Sequence, residues 1–368
     1  MGAFEVPGWM HRVGGFVERH PRLIQRLAAW ETSALADRLA AAPVVAPVYI
    51  CGLARSGTTI LLEALAQHPD VGSHQYRDYP VVALPYAWPW LLRYIATKEE
   101  RPAERAHGDR ILVTSRSPEA MEEPLWRHFF PAPRPDAGDV LDARVGNPAF
   151  EGFYRAHVGK LLLERGRSRY LAKGNYNVTR IGYLRRIFPD ARFIVPIRAP
   201  EGHVSSLARQ HRRFTEGLRD NPRGRDHLRR VGHFEFGPDR RPIDTGAPGG
   251  VAGVLGLWAA GEEARGWARA WSLVYGHVAD TLARDPGLAE AVKVVRYEDF
   301  CAKPGEVLAE VFAHVRLAPP PGMVERFAAQ VSAPTYYDSR FTDLERAAIH
   351  EETAAVAARF GYAEGAPG

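Results

Sequence analysis

A chain of 368 residues that is 46% hydrophobic, 10% aromatic and 25% charged has ample core material and ordinary globular proportions, which excludes a disordered, collagenous or coiled-coil protein. Its 48 basic and 43 acidic residues leave a formal charge of +5, and only five of the basic residues are lysines, a bias that by itself says little about function. Two cysteines, Cys51 and Cys301, cannot build a disulfide framework, and no Cys/His spacing matches a zinc site, so a reducing compartment and no metal are expected.

The first residues lack a charged stretch followed by an apolar one, and Val6 stands where a myristoylation signal needs Ser or Thr. The longest uncharged runs, residues 79–92 and 245–261, are broken by Pro or Gly and fall short of the ~18 apolar residues that suggest a spanning helix. A cytoplasmic protein without a transmembrane segment is expected, with contact to a membrane surface left open. Leu23, Ile24, Leu27, Leu35 and Leu39 recur at helical spacing and predict one amphipathic helix over 21–41. Pro43 and Pro47 then bracket the approach to VYICGL, whose unbroken apolar run predicts a strand buried on both faces. ARSGTT leads from it into ILLEALAQ, a helix ending near His68 and Pro69.

Two further strands are expected over 192–197 and 291–296, each after a helix, the first helix ending at Phe188-Pro189 and the second near Asp285-Pro286. Strands separated by helices imply a parallel sheet with crossovers. Irregular stretches over 131–148, 217–250 and 318–322 are read as lids or acceptor-site loops. The expected organisation is an N-terminal helical extension over 1–46, followed by a single α/β domain over 47–368 with acceptor or lid insertions at about 75–165 and 212–260.

Gly52-Leu-Ala-Arg55-Ser56-Gly57-Thr58-Thr59 has the two-glycine spacing of a phosphate loop, which aims backbone N–H groups and a helix N-terminus at an anion. The lysine that would reach the outer phosphates of a nucleoside triphosphate is replaced by Thr58, and the only cation in the loop is Arg55. A shorter phosphate-containing group therefore suits the loop better than a triphosphate. The bland reading, a turn capped by Ser56 and Thr58, requires strand, glycines, arginine and hydroxyls to coincide by chance. A P-loop-like, three-layer α/β fold is expected, with a central parallel sheet flanked by helices and long irregular loops.

GLARSGTTILLEALAQHPDV resembles the 5′-phosphosulfate loop of sulfotransferases that use 3′-phosphoadenosine 5′-phosphosulfate (PAPS), particularly their bacterial and Golgi-type branch. Phe193-Ile-Val-Pro-Ile-Arg198 with Ser206 eight residues later resembles that family's 3′-phosphate motif, in which a strand-end arginine and a serine on the next helix converge on one phosphate. Tyr170-Leu-Ala-Lys173 resembles its lysine-bearing strand, and Arg296-Tyr-Glu-Asp-Phe300 its RYEDF segment; together the resemblance spans about residues 48–362. It implies sulfuryl transfer from PAPS to a hydroxyl or amine, in line and without metal, leaving 3′-phosphoadenosine 5′-phosphate (PAP). Arg55, Ser56, Gly57, Thr58, Thr59, Arg198 and Ser206 would bind the donor, and Arg55 and Lys173 would stabilise the leaving oxygen.

Several relatives place a glutamate just after HPDV, where this chain reads Gly72-Ser-His74-Gln-Tyr-Arg-Asp78. The base that takes the acceptor's proton is therefore expected to be His74 or Asp78, with His203, His211 or a water next in line. Residues 79–94, rich in Trp and Pro, are either an acceptor wall or core, with core the better reading. Eight arginines against three acids over 209–230 suggest a loop that steers an anionic donor or acceptor; without aromatic interleaving, nucleic acid is not expected. The acceptor is read as a small molecule, a carbohydrate or a lipid-linked group. The alternatives are a P-loop kinase for a small metabolite, disfavoured by Thr58, and a non-catalytic nucleotide sensor.

Overall fold

The computed structural model describes residues 4–95, 102–105, 108, 112–131, 138–331 and 341–362. Three helices come first, α1 (Gly8–Arg19), α2 (Pro21–Ala34) and α3 (Ala36–Ala41). The single helix expected over 21–41 is interrupted at Leu35, whose backbone (φ −109°, ψ 10°) leaves the helical region while its side chain turns into the core. Burial of Glu31 against Lys160, 2.8 Å away, ties α2 to the domain.

Among the described residues seven strands follow, β1 (Val48–Ile50), β2 (Val71–Ser73), β3 (Ala103–Glu104), β4 (Leu112–Val113), β5 (Arg169–Lys173), β6 (Arg192–Ile197) and β7 (Val292–Arg296). β3 and β4 form a small antiparallel ribbon, and the other five make one parallel sheet in the order β2-β5-β1-β6-β7. The central position of β1 explains its unbroken apolar run. Val48 and Ile50 pack into the cluster on one face with Leu61, Leu65 and Phe312, whereas Tyr49 packs on the other with Tyr154, Phe193 and Tyr275. Pro196 sits inside β6 without loss because its nitrogen faces β1, which has already ended: Ile50 pairs with Ile194, and Cys51 N–H donates to the Ile194 carbonyl.

The crossovers are α4 (Thr58–Ala66), α5 (Ala87–Ile95), α6 (Glu123–Phe129), α7 (Pro148–Arg165), α8 (Ile181–Ile187), α9 (Pro200–Leu218), α10 (Pro222–Val231), α11 (Gly250–Ala259), α12 (Glu263–Arg284) and α13 (Pro286–Ala289). After β7 come α14 (Tyr297–Ala302), α15 (Pro304–His314), α16 (Met323–Ala328) and α17 (Asp343–Ala358). Residues of α7, α8 and α12 cover one face of the sheet and residues of α4, α15 and α16 the other, giving three layers. Two expectations are corrected here. The stretch 217–250 contains α10, started by the Asn221 side chain, which accepts from Gly224 N–H. Most of the arginine-rich segment 209–230 is likewise helical, and Arg225 and Arg229 are paired with Asp239 and Arg230 with Glu18 rather than strung along an open loop. Part of the stretch 131–148, residues 132–137, lies outside the described residues. Among the described residues, no helix is long and apolar enough to cross a membrane.

Candidate active site

At the carboxyl end of β1 the chain turns through residues 51–57 into α4. Gly52 is required by a close approach, since a Cβ there would lie 3.0 Å from the Pro196 carbonyl oxygen. Arg55 (φ 72°) and Gly57 (φ 102°) are both left-handed, the backbone alternation that gathers successive N–H groups on one concave side. Among the described residues, no side chain caps α4, so its first N–H groups add to the same electropositive end. Two bonds stiffen the loop: Ser56 Oγ donates to the Leu53 carbonyl at 2.7 Å, and His203 Nε2 meets the Ala54 carbonyl at 2.8 Å. Because a carbonyl only accepts, Nε2 of His203 carries the proton, and burial lowers the pKa of this imidazole to about 3, keeping it neutral.

The second motif closes on the first. Arg198 follows β6 and Ser206 lies two turns into α9, which starts just beyond it. Arg55 Nε donates to Ser206 Oγ at 3.2 Å, so the loop cation touches the serine of the other motif. Arg198 is buried with its guanidinium 4.8 Å from the centre of the Tyr297 ring, at the start of α14. Glu298 beside it accepts from the Ala199 amide at 2.9 Å, which fastens the chain between β6 and α9 to the RYEDF segment.

Lys173 ends β5 in register with Ile50, one residue before the loop begins. Its ammonium donates to Thr59 Oγ1 at 3.2 Å and to Glu119 Oε1 at 2.9 Å. Arg105 donates to the same Thr59 hydroxyl at 3.3 Å and lies 3.9 Å from Glu119. Tyr76 donates its hydroxyl to the other oxygen of Glu119 at 2.5 Å. Burial would raise the Glu119 carboxyl, but Lys173, Arg105 and the Tyr76 hydroxyl outweigh it and hold the pKa down at about 2.

His74 and Asp78, expected to supply the base, lie on the chain just after β2. Their side chains are only 2% and 1% exposed. His74 is engaged through Nδ1 with Asp78 at 2.9 Å and through Nε2 with His157 at 3.0 Å. Asp78 also accepts from Arg165 at 2.6 Å and from the Gln75 amide at 3.0 Å. Burial opposes ionisation of Asp78, yet these donors prevail and its pKa is lowered, while burial holds His157 far below the ordinary imidazole value. The pair is a buried lock between the chain after β2 and α7, its polar atoms engaged by one another and by His157 and Arg165. His211 is turned to the Gly237 amide, which donates to its Nδ1 at 3.2 Å. In the aromatic stretch Tyr79 is core, and the Trp88 indole donates to the Arg77 carbonyl at 3.0 Å.

Glu119, with 15% of its side chain exposed, is the residue the sequence did not single out. It arrives through backbone pairing: Gln75 bridges Pro118, Tyr76 N–H donates to the Ser117 carbonyl, and Glu119 N–H donates to the His74 carbonyl at 3.0 Å. No local motif marks it, because only that pairing brings a residue from before α6 to the mouth of the loop.

A parallel sheet between two helical layers, whose central strand feeds a glycine-bearing loop with buried cations at the ends of the two strands beside it, presents backbone N–H groups and positive charge to an anion. The sequence model of the sulfotransferase family matches residues 47–233, half of the chain, and the chain belongs to that family. No curated protein matches it in sequence. Among solved structures, a Mycobacterium avium sulfotransferase aligns at 15% identity over 95% of this chain and 81% of its own, with a TM-score of 0.48. A Mycobacterium tuberculosis sulfotransferase aligns at 14% identity over 90% and 81%, TM-score 0.45, and one from Alicyclobacillus acidocaldarius at 16% over 86% and 94%, TM-score 0.39.

Proposed function

We propose that this sulfotransferase uses PAPS as donor, releases PAP, and delivers the sulfuryl group to a hydroxyl or amine of a small-molecule, carbohydrate or lipid-linked acceptor. The observation that carries the reading is the Arg55–Ser206 hydrogen bond at 3.2 Å, which joins a 5′-anion loop to the serine of a 3′-phosphate motif. Two anion sites side by side suit a nucleotide phosphorylated at both ends and serve no purpose for one phosphorylated at a single end. The residues fit such a group: the loop is curled by Arg55 and Gly57, Thr58 adds a buried hydroxyl, and Arg198 and Ser206 are buried polar side chains of the right chemistry for a phosphate.

In this reading the amides of Gly57, Thr58 and Thr59 hold the 5′ end and Ser56 shapes the loop around it. The donor supplies an activated sulfuryl group, and the chain's part is to position and stabilise charge. Arg55 and Lys173 stand where negative charge grows on the leaving oxygen. Arg198 and Ser206 hold the 3′-phosphate. The two free cysteines suit a reducing, cytoplasmic setting. Calorimetry with PAP, adenosine 5′-phosphate and Mg·ATP tests the reading: PAP should bind most tightly. Tight binding of Mg·ATP with no binding of PAP would replace it with a kinase. Labelled PAPS offered with a panel of alcohols, phenols and aminosugars then separates an enzyme from a nucleotide sensor.

A further inference from the structure

A carboxylate beside an anion loop repels the ligand the loop is built to hold, so Glu119 needs a reason to be there. Three cationic or protic groups from three elements converge on it, Lys173 from β5, Arg105 after β3 and Tyr76 from the turn after β2, and Thr59 of α4 shares the first two. Its own backbone is pinned to His74, whose side chain is locked by Asp78, His157 and, through Asp78, Arg165. The buried lock at 74–78 thus serves as the platform that presents Glu119 and Tyr76 to the loop.

We propose that Glu119 is the general base of the reaction, restrained by Lys173 and Arg105 until an anion in the loop draws those cations away. This rests on the reading of the protein as a PAPS-dependent sulfotransferase. Glu119 takes the proton of the acceptor O–H or N–H. The atom so freed forms the new bond to sulfur, the bond from sulfur to the phosphate oxygen breaks, and its electron pair stays on the phosphate, facing Arg55 and Lys173. Without the anion Glu119 is a poor base, because both cations stabilise its ionised form. With the cations turned to the anion, and the anion's own negative charge nearby, its proton affinity rises. The base is thereby strengthened only when the donor is in place.

The first test needs no acceptor. PAP binding is followed by calorimetry near pH 5 in two buffers of different ionisation heat, for the wild type and for Glu119→Gln. The carboxyl's pKa is low in the free protein and raised in the complex, so protons are taken up between the two values and PAP affinity rises as pH falls through the upper one. Wild type should take up more protons per bound PAP than Glu119→Gln, in which only the ligand's own phosphates contribute. Equal uptake would overturn the hand-over of Lys173. The variant should bind PAP as tightly as wild type or more so, having lost a repelling charge; a tenfold weaker Kd would instead make Glu119 a mere brace for Lys173. On any acceptor that wild type sulfates, Glu119→Gln should lower kcat about 10²–10⁴-fold. Full activity with normal PAP binding rejects the base and leaves the donor reading standing. A wild type that does not bind PAP rejects both.

Discussion

Arg198 and Ser206 offer the sharpest test of the donor reading, because they act on one end of the ligand only. Both are buried beyond the carboxyl end of β6, Arg198 over the Tyr297 ring and Ser206 as partner of Arg55. Removing a charge-assisted hydrogen bond to a phosphate costs about 1.5–3 kcal/mol, or about 10–150-fold in Kd. Arg198→Ala also removes packing against Tyr297, and Ser206→Ala loosens Arg55, but those losses fall on any ligand of the loop. They cancel in the ratio of PAP to adenosine 5′-phosphate affinities. Each variant should therefore lower that ratio by about 10–150-fold, and the double variant by less than the product of the two, since both groups address one phosphate. Titration calorimetry with the two nucleotides gives the ratio directly. A variant that weakens both ligands alike would show that Arg198 and Ser206 do not hold a 3′-phosphate.

Arg55→Ala should lower kcat by a larger factor than it raises the Kd for PAPS, because charge on the leaving oxygen grows only in the transition state; an unchanged kcat would remove Arg55 from the chemistry. Lys160→Met leaves the Glu31 carboxylate buried without its partner and should destabilise the fold by about 3–5 kcal/mol, read by urea denaturation, with recovery when Glu31→Gln is added; an unchanged midpoint would show the pair to be idle. Asp78 has a lowered pKa in the folded protein, so its stabilisation is full above the ordinary aspartate value of about 3.9 and is lost as pH falls through the folded one. Asp78→Asn should accordingly be less stable than wild type at pH 7, with the gap closing in acid; a gap constant down to pH 3 would refute the lock.

Elements whose signals are local were readable from sequence. β6 falls over 192–197 as expected, and β1 and α4 flank the loop because an apolar run, two glycines and a helical repeat lie within twenty residues of one another. The contact of Arg55 with Ser206, 151 residues apart, follows from the position of β1 beside β6, which makes their C-terminal loops neighbours. What escaped was set by partners far along the chain. Leu35 leaves the helix although its spacing fits it, because its side chain is drawn into the core. His74 follows β2 directly, but α7 brings His157 and Arg165 over the segment and makes His74 and Asp78 a buried brace. Glu119 follows no motif, and only its backbone pairing with residues 74–77 places it.

The absence of the phosphate-loop lysine becomes intelligible from the sheet. A loop with its own lysine carries its charge on one flexible side chain. Here the cations stand at the ends of three adjacent strands, Lys173 on β5, Arg55 after β1 and Arg198 after β6. Strands about 4.8 Å apart set those spacings more firmly than a single chain could. Ile50 pairs with both Lys173 and Ile194, so one register fixes the flanking cations relative to the loop. Positive charge distributed this way can be shared with a carboxylate in the free protein and withdrawn when an anion arrives, which a lysine committed to the loop could not do without vacating the site. Thr58, where that lysine would be, is thus consistent with a loop whose outer charge is supplied from β5, and Glu119 is the group positioned to respond to it.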